Sequence, residues 1–235
     1  KLTQNLFRMT GDVRYADYYE RAMFNHILST QHPEHGGYVY FTSARPAHYR
    51  VYSAPNSGMW CCVGTGMENH GKYGEFIYTH TDDELYVNLF VASQLNWKEK
   101  KFVIKQETNF PSEETVRLTI DSRKAQTLKI KIRCPWWVKP GEMKVICKGK
   151  DYAVGAQPSS YIEIERRWKK GDVIEVTMPM TITVEELPNL PNYIAIMRGP
   201  ILMGARMGDY RLDGLVANDG RWAHIAHGPL VSLFD

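Results

Sequence analysis

The chain of 235 residues lacks any apolar run close to the roughly 18 residues that a membrane-spanning helix requires, and no charged start leads into an apolar signal segment. It also lacks an excess of one charge. Its 29 lysines and arginines stand against 26 acidic residues, a formal net charge of +3, with the basic residues scattered among the acidic ones. That distribution argues against nucleic acid and against a membrane as partners. Cysteine is scarce, with four in the chain. None stands in a CxxC spacing and there is no HxxxH pair, so the sequence holds no complete zinc signature. Internal repeats and low-complexity tracts are likewise missing. What remains is a globular composition, 43% apolar and 12% aromatic, ample for one or two domains with real cores.

Residues 1 to about 80 carry the helical period. The opening residues read as the middle of an amphipathic helix, with Leu2, Leu6 and Met9 on one stripe and no cap ahead of them. The closing apolar run Pro229-Leu230-Val231-Ser232-Leu233-Phe234-Asp235 wants a partner, so the expectation is a fragment with something missing on both sides. Thr10-Gly11-Asp12 combines a helix stop with a helix start. On the second helix Ala16, Tyr19, Met23 and Ile27 share an arc, with Arg14, Asp17, Arg21 and Asn25 opposite. Glu20 falls inside the apolar arc. A carboxylate there needs a partner, a ligand or a raised pKa, since an unpaired buried charge costs roughly several kcal/mol. Pairing with a structural arginine or capping another helix is the plain reading. A long loop, residues 31 to 59, follows, with Gly36-Gly37 and a short aromatic strand Tyr38-Val39-Tyr40-Phe41; loops of this length tend to be functional. Thr65-Gly66-Met67-Glu68 has the spacing of a capping box and predicts a helix start there, with Gly71 and Gly74 inside it.

From about Asp83 the period changes to two. Leu85, Val87, Leu89 and Val91 alternate, as do Val116, Leu118 and Ile120, and Leu128, Ile130 and Ile132 with Lys129, Lys131 and Arg133 facing the other way. Ile162 and Ile164, then Ile174, Val176 and Met178, continue the pattern around the turn Lys169-Lys170-Gly171-Asp172. Many short strands without intervening helices argue for an antiparallel sandwich. The predicted boundaries are 1–80, helical; 81–185, sandwich; and 186–235, the start of a second β unit.

Cys134 and Cys147 sit in apolar strand phases and read as core residues; a bridge between them stays open. Cys61 and Cys62 are adjacent. Their Cα atoms lie about 3.8 Å apart, below the usual disulfide range of about 4.4 to 6.8 Å, so a bridge between them would be strained. Flanked by Gly58 and Gly64 and next to a helix N-terminus that favours thiolates, the pair reads either as a soft-metal or nucleophile site or as inert buried thiols. His32-Pro33-Glu34-His35 is the other cluster with metal-binding residue types, and it reads as a solvated loop.

The run Trp60-Cys61-Cys62-Val63-Gly64-Thr65-Gly66-Met67-Glu68-Asn69-His70, preceded by Tyr19-Glu20-Arg21-Ala22-Met23-Phe24-Asn25, resembles the β-L-arabinofuranosidases of glycoside hydrolase families 127 and 146, the cysteine run being closest to family 146. The likeness is specific over residues 1–80 and thins to Arg167-Trp168-Lys169-Lys170-Gly171-Asp172 and Arg198-Gly199-Pro200. It implies an α+β chain: the terminal helices of an (α/α)6 barrel, followed by an antiparallel β-sandwich. It implies that Cys61 is the nucleophile, that Cys62 binds a zinc ion also contacted by Cys61, and that Glu20 and Tyr40 touch substrate. The implied reaction is retaining hydrolysis of a terminal β-L-arabinofuranoside from an arabinose-containing oligo- or polysaccharide. The other two zinc ligands and the general acid/base would lie upstream of Lys1, so the chain is expected to bind zinc poorly and to be inactive without that missing N-terminal half. Glu68 and His70 are tempting substitutes that capping and helix packing explain. A periplasmic or secreted location suits such an enzyme. The rival expectation is a non-catalytic carbohydrate-associated sandwich module, with Trp97, Trp136, Trp137 and Trp222 as stacking platforms, Trp136 and Trp137 at a strand end reading equally as core; a third is a structural metal site.

Overall fold

The computed structural model describes residues 1–45, 48–208, 212, 215–218 and 220–228; the closing run 229–235 lies outside them. Helices α1 (Leu2–Thr10) and α2 (Val13–Ala22) lead through a π-turn at Met23–Ile27 and a 3-10 turn at Leu28–Thr30 to strand β1 (Tyr52–Ser53). Helix α3 (Cys61–His70) and the single turn α4 (Gly74–Ile77) follow. Strands β2 (Tyr78–His80), β3 (Glu84–Val87), β4 (Ser93–Trp97), β5 (Phe102–Glu107), β6 (Thr115–Ile120) and β7 (Gln126–Cys134) come next. They are succeeded by β8 (Lys144–Cys147), β9 (Lys150–Asp151), β10 (Ser160–Trp168) and β11 (Val173–Thr177). Then come β12 (Ile182–Leu187), β13 (Leu190–Arg198), β14 (Ile201–Leu202), β15 (Val216–Ala217) and a 3-10 turn at Arg221–His224. The protein is α+β. No helix among the described residues is long and apolar enough to cross a membrane.

The chain divides into two compact units, Lys1–Arg21 with Gly74–Met203, and Ala22–Tyr73 with the described part of Gly204–Asp235. The division cuts through the helical region that the change of period had kept whole.

In the first unit a four-stranded sheet, β10-β7-β3-β2, and a six-stranded sheet, β4-β5-β6-β11-β8-β9, supply one core. The alternating residues of β6 and β7 point into it: Val116, Leu118, Ile120, Leu128, Ile130 and Ile132 are all buried. Removing such side chains from water is the main favourable term, about 25 cal/mol per Å² of apolar surface. The sheets are not wholly antiparallel as expected, because β3 pairs parallel to β7. After β3 the chain runs through β4, β5 and β6 in the other sheet and re-enters in the same direction, which a parallel neighbour requires. Cys134 and Cys147 lie in the core as free thiols, and burial pushes the Cys134 pKa up to about 11. A three-stranded antiparallel sheet, β12-β13-β14, ends the unit.

Helices α1 and α2 belong to this unit. Gly11 ends α1 in the left-handed conformation at φ 67°, its amide donating to Phe7 O at 2.7 Å, and Asp12 Oδ1 accepts the Arg14 amide at 3.0 Å. The face that α1 buries is Gln4 and Phe7; Leu2 and Met9, the expected stripe, are exposed. Phe7 packs edge-on against Phe76 and Tyr86, at centroid distances of 5.2 and 6.0 Å, and Gln4 Nε2 donates to Glu75 O at 3.2 Å.

Two further positions differ from the sequence reading. Asp17, placed on the solvent arc, is buried, and Arg133, placed on the polar phase of β7, is fully buried. They answer each other. Arg133 Nη1 donates to Asp17 Oδ1 at 2.6 Å, Nη2 to Glu20 Oε1, and Nε to Asn88 O at 2.7 Å. Ser159 Oγ donates to Asp17 Oδ2 at 2.6 Å, and Trp137 Nε1 to Glu20 Oε2 at 2.9 Å. Burial works against the Arg133 charge, but the Glu20 and Asp17 carboxylates outweigh it and hold its pKa above the ordinary arginine value. Glu20 therefore takes the plain reading, a structural arginine partner. Each of its oxygens accepts one of these hydrogen bonds.

Candidate functional site

Helix α3 starts at Cys61, with Trp60 as its N-cap at φ −71° and ψ 161°, and Gly64 N–H donates to Trp60 O at 3.0 Å. The start lies four residues before the expected capping box. Glu68 pairs forward with Lys72 at 3.8 Å, and Thr65 sits inside the helix. Both cysteines thus occupy the first turn, where amides lack carbonyl partners and the helix presents its positive end. Gly71 closes the helix and Gly74 opens the next turn. His70 is explained by packing: its Nδ1 pairs with Gly66 O at 2.7 Å, and its ring meets Tyr38 edge-on. Gly66 answers a close approach, because a Cβ there would stand 2.7 Å from Tyr38 Cδ1.

The expected aromatic strand reduces to two isolated bridges, Gln31 with Tyr38 and Val39 with Tyr52. They set Tyr40 beside the cysteines. Its hydroxyl lies 3.7 Å from Cys61 Sγ, and Cys61 Sγ lies 3.9 Å from Cys62 Sγ; both thiols are free and exposed. The Tyr40 hydroxyl, then the Cys62 thiol and the amides of the first turn, hold the Cys61 pKa below the ordinary thiol value. Cys62 is pushed up by burial and by its neighbour Cys61. One sulfur of the pair is therefore the readier thiolate. Tyr40 is pushed up chiefly by Cys61, against a hydrogen bond from Arg221 that lowers it.

The pair meets one geometric requirement of zinc. Tetrahedral coordination at Zn–S distances of about 2.3 Å places two ligand sulfurs roughly 3.8 Å apart, and these stand at 3.9 Å. Two sulfurs are half of a ligand set. Among the described residues no group of three or more His, Cys, Asp and Glu side chains is arranged to hold a metal. His32 and His35 stack at 3.8 Å, and each turns Nδ1 to backbone amides, Glu34 at 3.2 Å and Gly37 at 3.1 Å respectively. A cavity of about 310 Å³ adjoins the second cysteine, lined among others by Tyr40, Cys62, Thr65, Asn69, His26 and Thr30. That is a small-ligand size.

Two residues near the cysteines had no signal in the sequence reading, Arg221 and His224. Both belong to the 3-10 turn Arg221–His224, and Tyr40 N–H donates to His224 Nδ1 at 3.2 Å. A separation of 184 residues leaves no local pattern to find. Of the four tryptophans expected as sugar platforms, Trp97 and Trp137 are buried, Trp136 packs partly buried against the sandwich core, and Trp222 is exposed, stacked on Phe41 at 5.8 Å.

Comparison with known families matches residues 1–75 to the catalytic domain and residues 84–180 to the middle domain of the glycoside hydrolase family 127 β-L-arabinofuranosidases. Residues 183–235 match a domain of unknown function. Among solved structures, a family 127 β-arabinofuranosidase is 28% identical with a TM-score of 0.73, over 85% of this chain and 34% of its own. A family 127 β-L-arabinofuranosidase from Geobacillus stearothermophilus T6 is 26% identical with a TM-score of 0.70, over 85% and 34%. A protein described as a glycoside hydrolase is 28% identical with a TM-score of 0.70, over 85% and 35%. The chain thus spans about a third of the length of these structures. No curated protein matches it.

Proposed function

We propose, on the premise that this chain belongs to the glycoside hydrolase family 127 β-L-arabinofuranosidases, that Cys61 is the nucleophile of a retaining hydrolysis releasing a terminal β-L-arabinofuranosyl unit. The observation that carries this is the placement of an exposed thiol in the first turn of α3, 3.7 Å from the Tyr40 hydroxyl and 3.9 Å from a second thiol. Cys61 Sγ attacks the anomeric carbon, the glycosidic C–O bond breaks, and the departing oxygen takes a proton from a general acid. Water, giving a proton to the same group now acting as base, then attacks the same carbon, the C–S bond breaks, and the thiolate is restored with retained configuration. Tyr40, hydrogen-bonded to Cys61, steadies the thiolate between the two steps.

Cys61 and Cys62 would hold a zinc ion, and a bound zinc would supply positive charge that keeps Cys61 deprotonated near neutral pH. The remaining zinc ligands and the general acid/base are assigned to other parts of a longer enzyme, and the isolated chain is assigned no turnover. Residues 1–75 are read as closing helices of an (α/α)6 barrel, supported by their match to the catalytic domain. The substrate is an arabinose-containing oligo- or polysaccharide, which suits a periplasmic or secreted enzyme. The rival, a sugar-stacking module, is weakened by the burial of Trp97 and Trp137.

The test is hydrolysis of an aryl β-L-arabinofuranoside by the full-length enzyme, with metal analysis. Cys61→Ala is expected to lower kcat by at least about 10³-fold, and Cys62→Ala to lose the zinc. Full activity in Cys61→Ala sinks the assignment.

A further inference from the structure

Among the described residues the segment that matches a domain of unknown function does more than follow the sandwich. Its strand β15 pairs parallel with β1, Tyr52 with Val216 and Ser53 with Ala217, and Trp222 stacks on Phe41. At the end of this segment His224 is 1% exposed. Its Nδ1 stands 3.2 Å from Tyr40 N and 3.1 Å from Val51 O, while Nε2 is buried with no partner among the described residues. With Nδ1 unprotonated it accepts from Tyr40 N–H, and with Nδ1 protonated it donates to Val51 O; either bond orients the ring from its Nδ1 side. It also lies edge-on to the Trp60 indole, centroids 5.4 Å apart at 85°. Trp60 is the N-cap of the helix that begins with Cys61.

A buried imidazole that reaches the backbone of Tyr40 on one side and the ring before Cys61 on the other fixes the two supports of one sulfur. Arg221, in the same turn, acts on the Tyr40 hydroxyl and works to lower its pKa. We infer that His224 is a positioning residue: it holds the Tyr40 backbone so that the tyrosine hydroxyl meets Cys61 Sγ, and the segment carrying it completes the cysteine site. The inference rests on the nucleophile reading above for its catalytic meaning, and on the hydrogen bond to Tyr40 for its geometry. An error of about 1 Å in such an arrangement is enough to cost roughly a hundredfold in rate.

The experiment is a double-mutant cycle in the full-length enzyme, followed by kcat and KM on the aryl arabinofuranoside and by iodoacetamide labelling of Cys61 relative to Cys62 in zinc-free protein. His224→Phe keeps a ring and removes the Nδ1 contact. It is expected to lower kcat about tenfold or more with little change in KM, and to lower the labelling ratio, but to add almost nothing in a Tyr40→Phe background. His224→Asn, whose amide reaches the Nδ1 position, is expected to recover kcat and labelling to within about threefold of wild type. Equal losses with and without Tyr40, or unchanged kcat and labelling in His224→Phe, overturn the proposal. If His224→Phe does not fold, His224→Asn against His224→Gln decides: Asn retaining the labelling ratio and Gln losing it supports positioning, and equal behaviour overturns it. Full turnover in Cys61→Ala would remove the nucleophile reading, while the labelling cycle still reports on the His224–Tyr40 link.

Discussion

Cys61 and Cys62 are neighbours in sequence with opposite surroundings: the Tyr40 hydroxyl chiefly lowers the pKa of the first, and burial chiefly raises that of the second. The thiolate, not the thiol, is the nucleophile, so reactivity should follow that order. In zinc-free protein, iodoacetamide is expected to label Cys61 first and to do so below the ordinary thiol range near about 8.5. Tyr40→Phe, which removes the largest cause of the lowering, should move the onset at Cys61 upward; mass spectrometry of labelling against pH reads both. Cys62 labelled first would contradict the assignment. The nearness of the pair to a helix N-terminus was legible in the sequence, while its exposure and its approach to Tyr40 were not. Glu20 was legible as a buried carboxylate but not in its partner: Arg133 lies 113 residues away, where its strand phase pointed to solvent.

At the scale of elements, α3 carries two glycines with different surroundings. A Cβ on Gly64 would meet nothing within 4 Å, whereas one on Gly66 would press on the Tyr38 ring at 2.7 Å. Gly64→Ala should therefore raise stability by up to about 1 kcal/mol through helix propensity alone. Gly66→Ala should lower it despite the same propensity gain, since a ring packed against the helix has to shift. Thermal denaturation of the two variants should give Tm changes of opposite sign. Strands were the readable elements: the two-residue alternation in β6 and β7 matches the buried sets, because one face of each meets the core. The start of α3 was misread, since Thr65 to Glu68 has a capping-box spacing that competes with the real cap at Trp60. The parallel pairing of β3 with β7 leaves no trace in alternation, which reports faces and not neighbours.

For the whole molecule, the cluster of Arg133, Asp17 and Glu20 fastens α2 to the sandwich of its unit. Arg133→Met is expected to destabilise by about 3–5 kcal/mol, because two buried carboxylates lose their counter-charge. Urea denaturation would measure it, and hydrogen exchange should show residues 1–21 exposed while β5 to β7 keep their protection. Loss of protection across both together would mean that the helices and sheets fold as one. The same cluster sets a timetable during synthesis. Glu20 leaves the ribosome 113 residues before the arginine it pairs with, and at about 5–20 residues per second that is a delay of roughly 6 to 23 s. Through that interval Asp17 and Glu20 lack the arginine that answers them, so this face of α2 takes its final partner only once β7 has been made.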